Sequence, residues 1–254
     1  MRLGLVLAGG GEAAMARLAE AHGLFGVLAG TTTGAVYAST ATDFVRIAVQ
    51  VRLGQEHPVT IAEELSILDN VNNGRTVVLV DTAELSAGEA ADEVAVIREA
   101  LGNRPLRHEG PRWKTPAGLP ANATAPKAIA VTPKPAQLEV PVWITGSAAA
   151  SVGSELALPV LARKPEQASG ERYVQPAVAG IRGDMKEDRE LVSRWAEAGA
   201  THLLLELAAG ADEAAVLTMV SRYLAPEVGM PHFPRVMSDS KVPLPWPGDE
   251  ARRS

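Results

Sequence analysis

Residues 57–75, HPVTIAEELSILDNVNNGR, constrain the fold of this chain more than any other stretch. Thr60 and Glu63 have the spacing of a capping box, in which two side chains satisfy backbone donors that the first helical turn leaves free. Pro58 stands just upstream, where a fixed φ costs nothing. Ile61, Leu65 and Leu68 recur at i, i+4 and i+7, which gives the predicted helix one apolar face. Asn72, Asn73 and Gly74 end it, because Asn and Gly accept the left-handed conformation of a helix terminus. Residues 76–80, β-branched apart from Leu79, read as a buried strand. Another strand, at 45–51, precedes the helix. Strand, helix and buried strand in that order make the βαβ unit of a parallel α/β fold.

The same alternation runs through the chain. Apolar runs at 3–7, 24–28, 45–51, 76–80, 142–145, 158–161, 174–179 and 201–207 predict eight strands with about seven helices between them. Ser86 and Glu89 form a second capping box, and Val94, Ile97 and Leu101 give that helix its face. Asp184 with Glu187, and later Asp212, open two further helices. Residues 30–41, rich in Thr, Gly and Ala, give no clear element, and 164–171 leaves little room for a sixth helix. At 254 residues the chain is close to the roughly 250 typical of a (β/α)8 barrel. The expected architecture is therefore an abbreviated (β/α)8 TIM barrel forming one domain over residues 1–236. Five prolines after residue 226 and the DEARRS ending predict a loosely held tail over 237–254.

A hydrophobic content of 46% can fill such a core, and aromatics at 4% leave it to Val, Leu, Ile and Ala. A net charge of −6 argues against nucleic acid as a partner, since phosphate neutralisation needs a basic surface. The absence of cysteine excludes disulfides, thiolate catalysis and cysteine–zinc sites. No run of 18 apolar residues and no signal-like N-terminus is present, so no membrane association and a cytoplasmic location are expected. The five histidines (His22, His57, His108, His202 and His232) include no pair at i, i+4, which leaves no helical zinc site.

Pro58, Ala62, Glu63, Leu68, Asp69, Gly74 and Arg75 together resemble a signature of the bacterial luciferase-like flavin monooxygenase family. Residues 131–146 (VTPKPAQLEVPVWITG over the matching part) resemble that family's proline-rich lead into its fifth strand. Residues 194–207 resemble its last helix and strand. The resemblance runs over about residues 1–225 and implies a luciferase-like barrel. It further implies a flavin-dependent oxidoreductase or monooxygenase acting on a small organic substrate, with FMN as cofactor. A deazaflavin coenzyme, or none, is the alternative. It implies a homodimer through the early helices, where Ala62 and Ile67 lie off the apolar stripe and face a symmetry mate. A heteromeric, non-catalytic partner subunit is the competing reading. Residues 105–141 carry eight of the 18 prolines, and in the family an extension at this place crosses the barrel mouth.

The resemblance also carries site residues. His57, after the third strand, is the candidate catalytic group. Gly146 and Ser147 form the Gly/Ser turn that lies against a flavin phosphate in the family, and outward-pointing backbone donors there suit an anion. Arg52, Asp81 and Thr82 complete the expected cofactor-binding set. One departure stands out. Where the family usually has a Gly-x-Gly turn after its fourth strand, this chain has Val80-Asp81-Thr82-Ala83-Glu84, placing carboxylates near an expected phosphate. Two other motifs fall away. Gly9-x-Gly11-x-x-Ala14 has dinucleotide-fingerprint spacing, but no acid ends the second strand to hold a ribose. Gly30-Thr31-Thr32-Thr33-Gly34 resembles the nucleophile turn of patatin-like hydrolases, but no Asp-Gly pair exists to activate Thr32.

Overall fold

The computed structural model describes residues 1–117, 124, 126–168 and 174–230. Strands and helices alternate from the first residues. They are β1 (Arg2–Val6), α1 (Glu12–Ala21), β2 (Gly26–Ala29), α2 (Thr32–Ala41), β3 (Arg46–Arg52), α3 (Pro58–Val71), β4 (Thr76–Asp81) and α4 (Ala87–Leu101). A small antiparallel hairpin, β5 (His108–Glu109) with β6 (Lys114–Thr115), interrupts the alternation. It resumes with β7 (Val142–Thr145), α5 (Ala149–Glu155), β8 (Pro176–Ile181), α6 (Met185–Glu197), β9 (His202–Leu207) and α7 (Glu213–Met219). Seven strands form one parallel sheet in the order β7-β4-β3-β2-β1-β9-β8.

The two outer strands of that sheet are joined by the expected sixth barrel strand, reduced here to two parallel bridges. Ile144 pairs with Val160, and Ala162 with Ala177. The Ile144 amide donates to Pro159 O (2.8 Å), and the Ala162 amide to Pro176 O (2.9 Å). The ring is therefore closed, as an abbreviated (β/α)8 barrel. Pro159 has no N–H to give, which is why the apolar run at 158–161 yields bridges and not a full strand.

The organising helix forms, with a different start. α3 begins at Pro58, and His57 is its N-cap, with Nδ1 accepting from the Val59 amide at 3.2 Å. The Thr60–Glu63 box does not form, because proline at the first helical position already sets the entry one turn earlier. Ile61, Leu65 and Leu68 are buried as expected. At the other end Asn73 (φ 57°) and Gly74 (φ 77°) turn the chain into β4. Ala62 is fully buried and is not available to a partner, whereas Ile67 is 52% exposed.

Residues 32–41, unreadable in sequence, form α2. Thr31 caps it by accepting from the Gly34 amide (3.0 Å). Its buried face is Gly34, Ala35, Ala38 and Ser39, while Val36 and Tyr37 are exposed. Small residues inward and large apolar ones outward erase the periodicity by which an amphipathic helix is recognised. The capping box of Ser86 with Glu89 and the cap of Asp184 on Lys186 and Glu187 are both present. Asp212 caps α7 through the Ala215 amide. The tail expected at 237–254, and the boundary before it, lie outside the described residues.

Residues 105–141 take a course of their own. The β5–β6 hairpin docks on α4, Leu106 bridges to Ile129, and Lys134 Nζ donates to the carbonyls of Ala100 and Gly102 at the end of α4. The described part of the excursion thus lies along the outside of α4 and does not cross the mouth. What draws it there is a pair of buried carboxylates, Asp92 and Glu93, that need donors.

Candidate active site

Side chains alternate across a strand, so one contact identifies the inner face of the barrel. Trp143 on β7 and His202 on β9 belong to strands far apart in the sheet order, yet their rings meet with centroids 5.7 Å apart. They meet across the lumen. Counting in steps of two from them, and across the register pairs Arg52↔Asp81↔Thr145 and Gly180↔Glu206, gives the upper lumen layer. It consists of Arg52, Asp81, Thr145, Gly180 and Glu206, with Gln50 one level lower, in register with Leu79 and reaching up to Asp81. Beneath it Leu79, Trp143 and Leu204 are buried and form an apolar floor. This layer lies at the C-terminal ends of the strands, the end at which (β/α)8 enzymes carry their sites.

Asp81 is the hub of the layer. Its Oδ2 accepts from Gln50 Nε2 at 3.0 Å and its Oδ1 from the Ala83 amide at 3.1 Å. Thr82 is fully buried, and both its amide and its hydroxyl donate to Thr145 O at 2.9 Å. Ser147 Oγ reaches Ala83 O at 3.4 Å. The turns after β4 and β7 are thereby zipped together. Gly146 (φ +101°) is part of the seam: a Cβ there would stand 2.7 Å from Asp81 Oδ1 and 2.8 Å from the amides of Thr82 and Ala83. Of the five residues assigned to the cofactor from sequence, Asp81, Thr82 and Gly146 are brought together by bonding or packing against one another. A side chain at position 146 would meet that carboxylate, while the glycine itself borders an open cavity on its other side.

Two cavities adjoin this seam. One, of about 630 Å³, opens behind Ser147 and is lined by Ser147, Val160, Leu161, Arg163 and Gln167 among others. It offers a hydroxyl, an exposed guanidinium and an amide. The other, of about 430 Å³, lies between the start of α2 and α3, with Thr31, Gln50, Arg52, Glu56 and Glu64 on its walls. Arg52 is exposed there, three residues beyond the last buried position of its strand.

His57 stands at the rim. Its Nδ1 is used in capping α3, and its ring packs edge-on against Trp113 of the hairpin, centroids 4.4 Å apart. With Nδ1 accepting, the proton of the neutral ring is assigned to Nε2. Behind it lies the acidic pair of α4. Asp92 accepts from His108 Nε2 (2.8 Å) and from the amides of Arg112 (3.0 Å) and Trp113 (2.9 Å). Burial works to raise the Asp92 carboxyl, but those three bonds outweigh it and hold the group below the ordinary carboxylate range. Glu93, fully buried, accepts from the Gly54 amide (2.9 Å) and from Trp113 Nε1 (3.4 Å), with Arg112 Nε at 3.5 Å.

The second half of the signature that carried the family resemblance, Asp69, Gly74 and Arg75, sits at the opposite, N-terminal end, while Pro58 stays beside His57 at the rim. Asp69 is fully buried and accepts from the amides of Thr76 and Gln137 and from Gln137 Nε2. Arg75, also buried, donates to the carbonyls of Ser39, Thr42, Val45 and Asn72 and to Thr42 Oγ1. These residues hold strands and helices in place, the stabilising role usual for the lower face of a barrel. His202 belongs to that end too, and is structural as its place in sequence suggests. It is edge-on to Phe25 (4.7 Å), and burial, with Arg2 and the N-terminal amine nearby, lowers its pKa to about 4. Gln50, Glu206, Arg163, Glu93 and Trp113 are site or near-site residues that sequence reading did not select. The one available signal was polarity at strand ends, in Gln50 and Glu206.

No protein-family model matches the chain, and no curated protein matches its sequence. Solved structures do. The monooxygenase RslO1 from Streptomyces bottropensis superposes with a TM-score of 0.69 at 14% identity, covering 89% of this chain and 99% of that one. The coenzyme F420-dependent tetrahydromethanopterin reductase from Methanopyrus kandleri gives 0.68 at 12% identity, with 89% and 99% covered. The oxygenating constituent of 3,6-diketocamphane monooxygenase from Pseudomonas putida, in complex with FMN, gives 0.63 at 14%, with 91% and 99% covered. Likeness at this level of identity establishes the fold, a luciferase-like barrel.

Proposed function

We propose that this luciferase-like barrel is an oxidoreductase of the flavin- or deazaflavin-dependent kind, acting on a small organic substrate at its open mouth. The observation that carries the reading is the upper lumen layer. A polar ring of Gln50, Asp81, Thr145 and Glu206 over an apolar floor of Leu79, Trp143 and Leu204 suits a planar heteroaromatic group that needs both stacking room and hydrogen bonds. Three structural neighbours are a monooxygenase, an F420-dependent reductase and a monooxygenase component in complex with FMN, which favours the same class. The cofactor, when bound, supplies the redox chemistry, and the protein supplies orientation and a dry pocket.

This chain's residues would hold such a group differently from the arrangement expected in sequence. The anionic end is assigned to the cavity that Gly146 and Ser147 line, against Ser147 Oγ, Arg163 and the Gln167 side-chain amide. Arg52 offers charge on the other side of the seam. His57, with Nε2–H free of the cap, is the proposed proton donor at the rim. Titration of the purified protein with FMN and with F420, followed by absorbance and fluorescence of each, tests the reading. Binding of one of them, weakened by Arg163→Ala, is the expected result. Binding of neither would overturn it and leave the barrel a non-catalytic partner subunit.

The proposed assembly is a homodimer through α2 and α3. Val36, Tyr37, Ile67 and Val71 are 36%, 56%, 52% and 46% exposed on these two neighbouring helices. Large apolar side chains grouped on one face mark an interaction surface. Among the described residues no helix is long and apolar enough to cross a membrane.

A further inference from the structure

The loop between β3 and α3, residues 53–57, borders the mouth and has little packing of its own beyond the buried Leu53. Gly54, Gln55, Glu56 and His57 are all exposed. Its fixed points come from elsewhere. The Leu53 amide donates to Asp81 O (3.1 Å), and Gln55 Nε2 lies 3.4 Å from Glu84 Oε1. The other two are supplied by α4 and the hairpin: the Gly54 amide donates to Glu93 Oε1 (2.9 Å), and the His57 ring packs on Trp113.

Trp113 is itself held at three points. Its amide donates to Asp92, its indole N–H points at Glu93 Oε2, and its ring carries His57. Glu93 is the shared member, since one carboxylate oxygen serves the loop and the other the hairpin. A carboxylate buried completely is costly to keep unless every lone pair is engaged. The loop and the hairpin are therefore alternative donors that Glu93 needs together, and losing one weakens the hold on the other. The remaining charges facing the cluster are Arg112, which also reaches Glu89 at 3.0 Å, and His108, set between Asp92 and Glu99. All belong to α4 or the hairpin, and none competes for the Gly54 amide.

We propose that Glu93 is a positioning residue that couples the 108–115 hairpin to the 53–57 loop through Trp113 and Gly54, and so sets the place of Arg52 and His57 at the barrel mouth. The excursion along α4 then acts as a brace for the mouth from outside the barrel, in place of crossing it. The coupling stands on the geometry alone. Its consequence for cofactor binding rests on the functional reading above.

Hydrogen–deuterium exchange of the full-length protein separates the two. Four variants are compared: Glu93→Ala, Glu93→Gln, Trp113→Ala and Trp113→Phe. Glu93→Ala and Trp113→Ala should raise exchange of the Gly54 amide, the loop amide that donates to Glu93, by about tenfold, the order expected for losing one hydrogen bond, without raising it in β1 and β9. Glu93→Gln keeps an acceptor for Gly54, and Trp113→Phe keeps a ring on His57, so both should give smaller increases. If Glu93→Ala does not fold, the two near-isosteric variants decide. Trp113→Ala that loosens only residues 110–115 and leaves the Gly54 amide as in the unmodified protein would overturn the coupling. The positioning role predicts that FMN or F420 dissociation constants rise at least threefold in Trp113→Ala and recover in Trp113→Phe. A loosened Gly54 amide with unchanged dissociation constants would overturn that role. Should the unmodified protein bind neither cofactor, the functional reading falls, while the exchange data still decide the coupling.

Discussion

His202 gives the structure a measurable dependence on acid. The ring lies at the lower end of the lumen, 9% exposed, between Phe25 and Trp143, with Thr201 Oγ1 at 2.8 Å from Nδ1. Burial first, and then the positive charges of Arg2 and the N-terminal amine, lower its pKa from 6.5 to about 4. A lowered histidine means that the unfolded chain binds more protons than the folded one between those values. Stability then rises with pH in that window, is fully present above about 6.5, and is lost as pH falls toward about 4. A gap of about 2.5 corresponds to about 3 kcal/mol at 1.36 kcal/mol per pKa unit. That is a large part of the 5–15 kcal/mol usual for a domain.

The perturbation is His202→Leu, which removes the titrating group while keeping an apolar filler against Phe25 and Trp143. Thr201 keeps its hydroxyl engaged, because Oγ1 also accepts from the Gln175 amide at 2.7 Å. Urea denaturation followed by tryptophan fluorescence at a series of pH values is the assay. Trp143, against the His202 ring, serves as a local reporter. Between pH 7 and pH 4.5 the unmodified protein should lose about 2–3 kcal/mol more than His202→Leu, at constant m. Carboxylates that titrate lower contribute equally to both proteins and cancel in the comparison. Parallel stability–pH curves for the two would refute the reasoning and place His202 in contact with water.

Three further outcomes are expected. Asp81→Asn keeps the contact with the Ala83 amide but removes a negative charge from the mouth, so affinity for FMN should rise by about fivefold to tenfold, the equivalent of about 1 kcal/mol at surface dielectric. Unchanged or weaker binding in a fluorescence titration would place the anionic end away from the β4–β7 seam. Arg75→Met leaves four carbonyls and a hydroxyl without their buried donor and should cost more than about 3 kcal/mol in urea unfolding; a loss under 1 kcal/mol would mean that water replaces the guanidinium. Ile67→Glu should convert a dimer to a monomer by light scattering while leaving the melting temperature within a few degrees, and a monomeric unmodified protein would remove the α2–α3 interface.

What could be read in advance follows from the range of the interactions involved. Strands buried on both faces are continuous β-branched or aliphatic runs, so 142–145 is recovered residue for residue and 76–80 to within one. Caps whose partners lie two or three residues away, Ser86 and Asp212, were legible for the same reason. His57 was not foreseen as a cap because an imidazole acceptor does not belong to the usual Ser, Thr, Asp and Asn set, although Nδ1 does the same work. α2 was invisible because helix and core contact there are made by Gly, Ala and Ser, which carry no hydrophobic period.

The site is a different matter, since most of the bonds that build it join residues far apart in the chain. Gln50 and Asp81 are 31 residues apart, Gly54 and Glu93 39, and Thr82 and Thr145 63. Spacing cannot report such pairs; only the register of neighbouring strands does. A Gly/Ser turn after the fifth barrel strand was correctly read as a turn, and its neighbour decides what it can bind. Because Arg52, Asp81 and Thr145 share one level of the barrel, an acid at position 81 lies directly against Gly146. The departure from the family pattern noted in sequence, a carboxylate where a Gly-x-Gly turn is usual, is thus one of the groups that leave no room for a side chain at position 146. The backbone of Gly146 still faces the cavity it shares with Ser147 and Arg163, the place proposed for an anionic group.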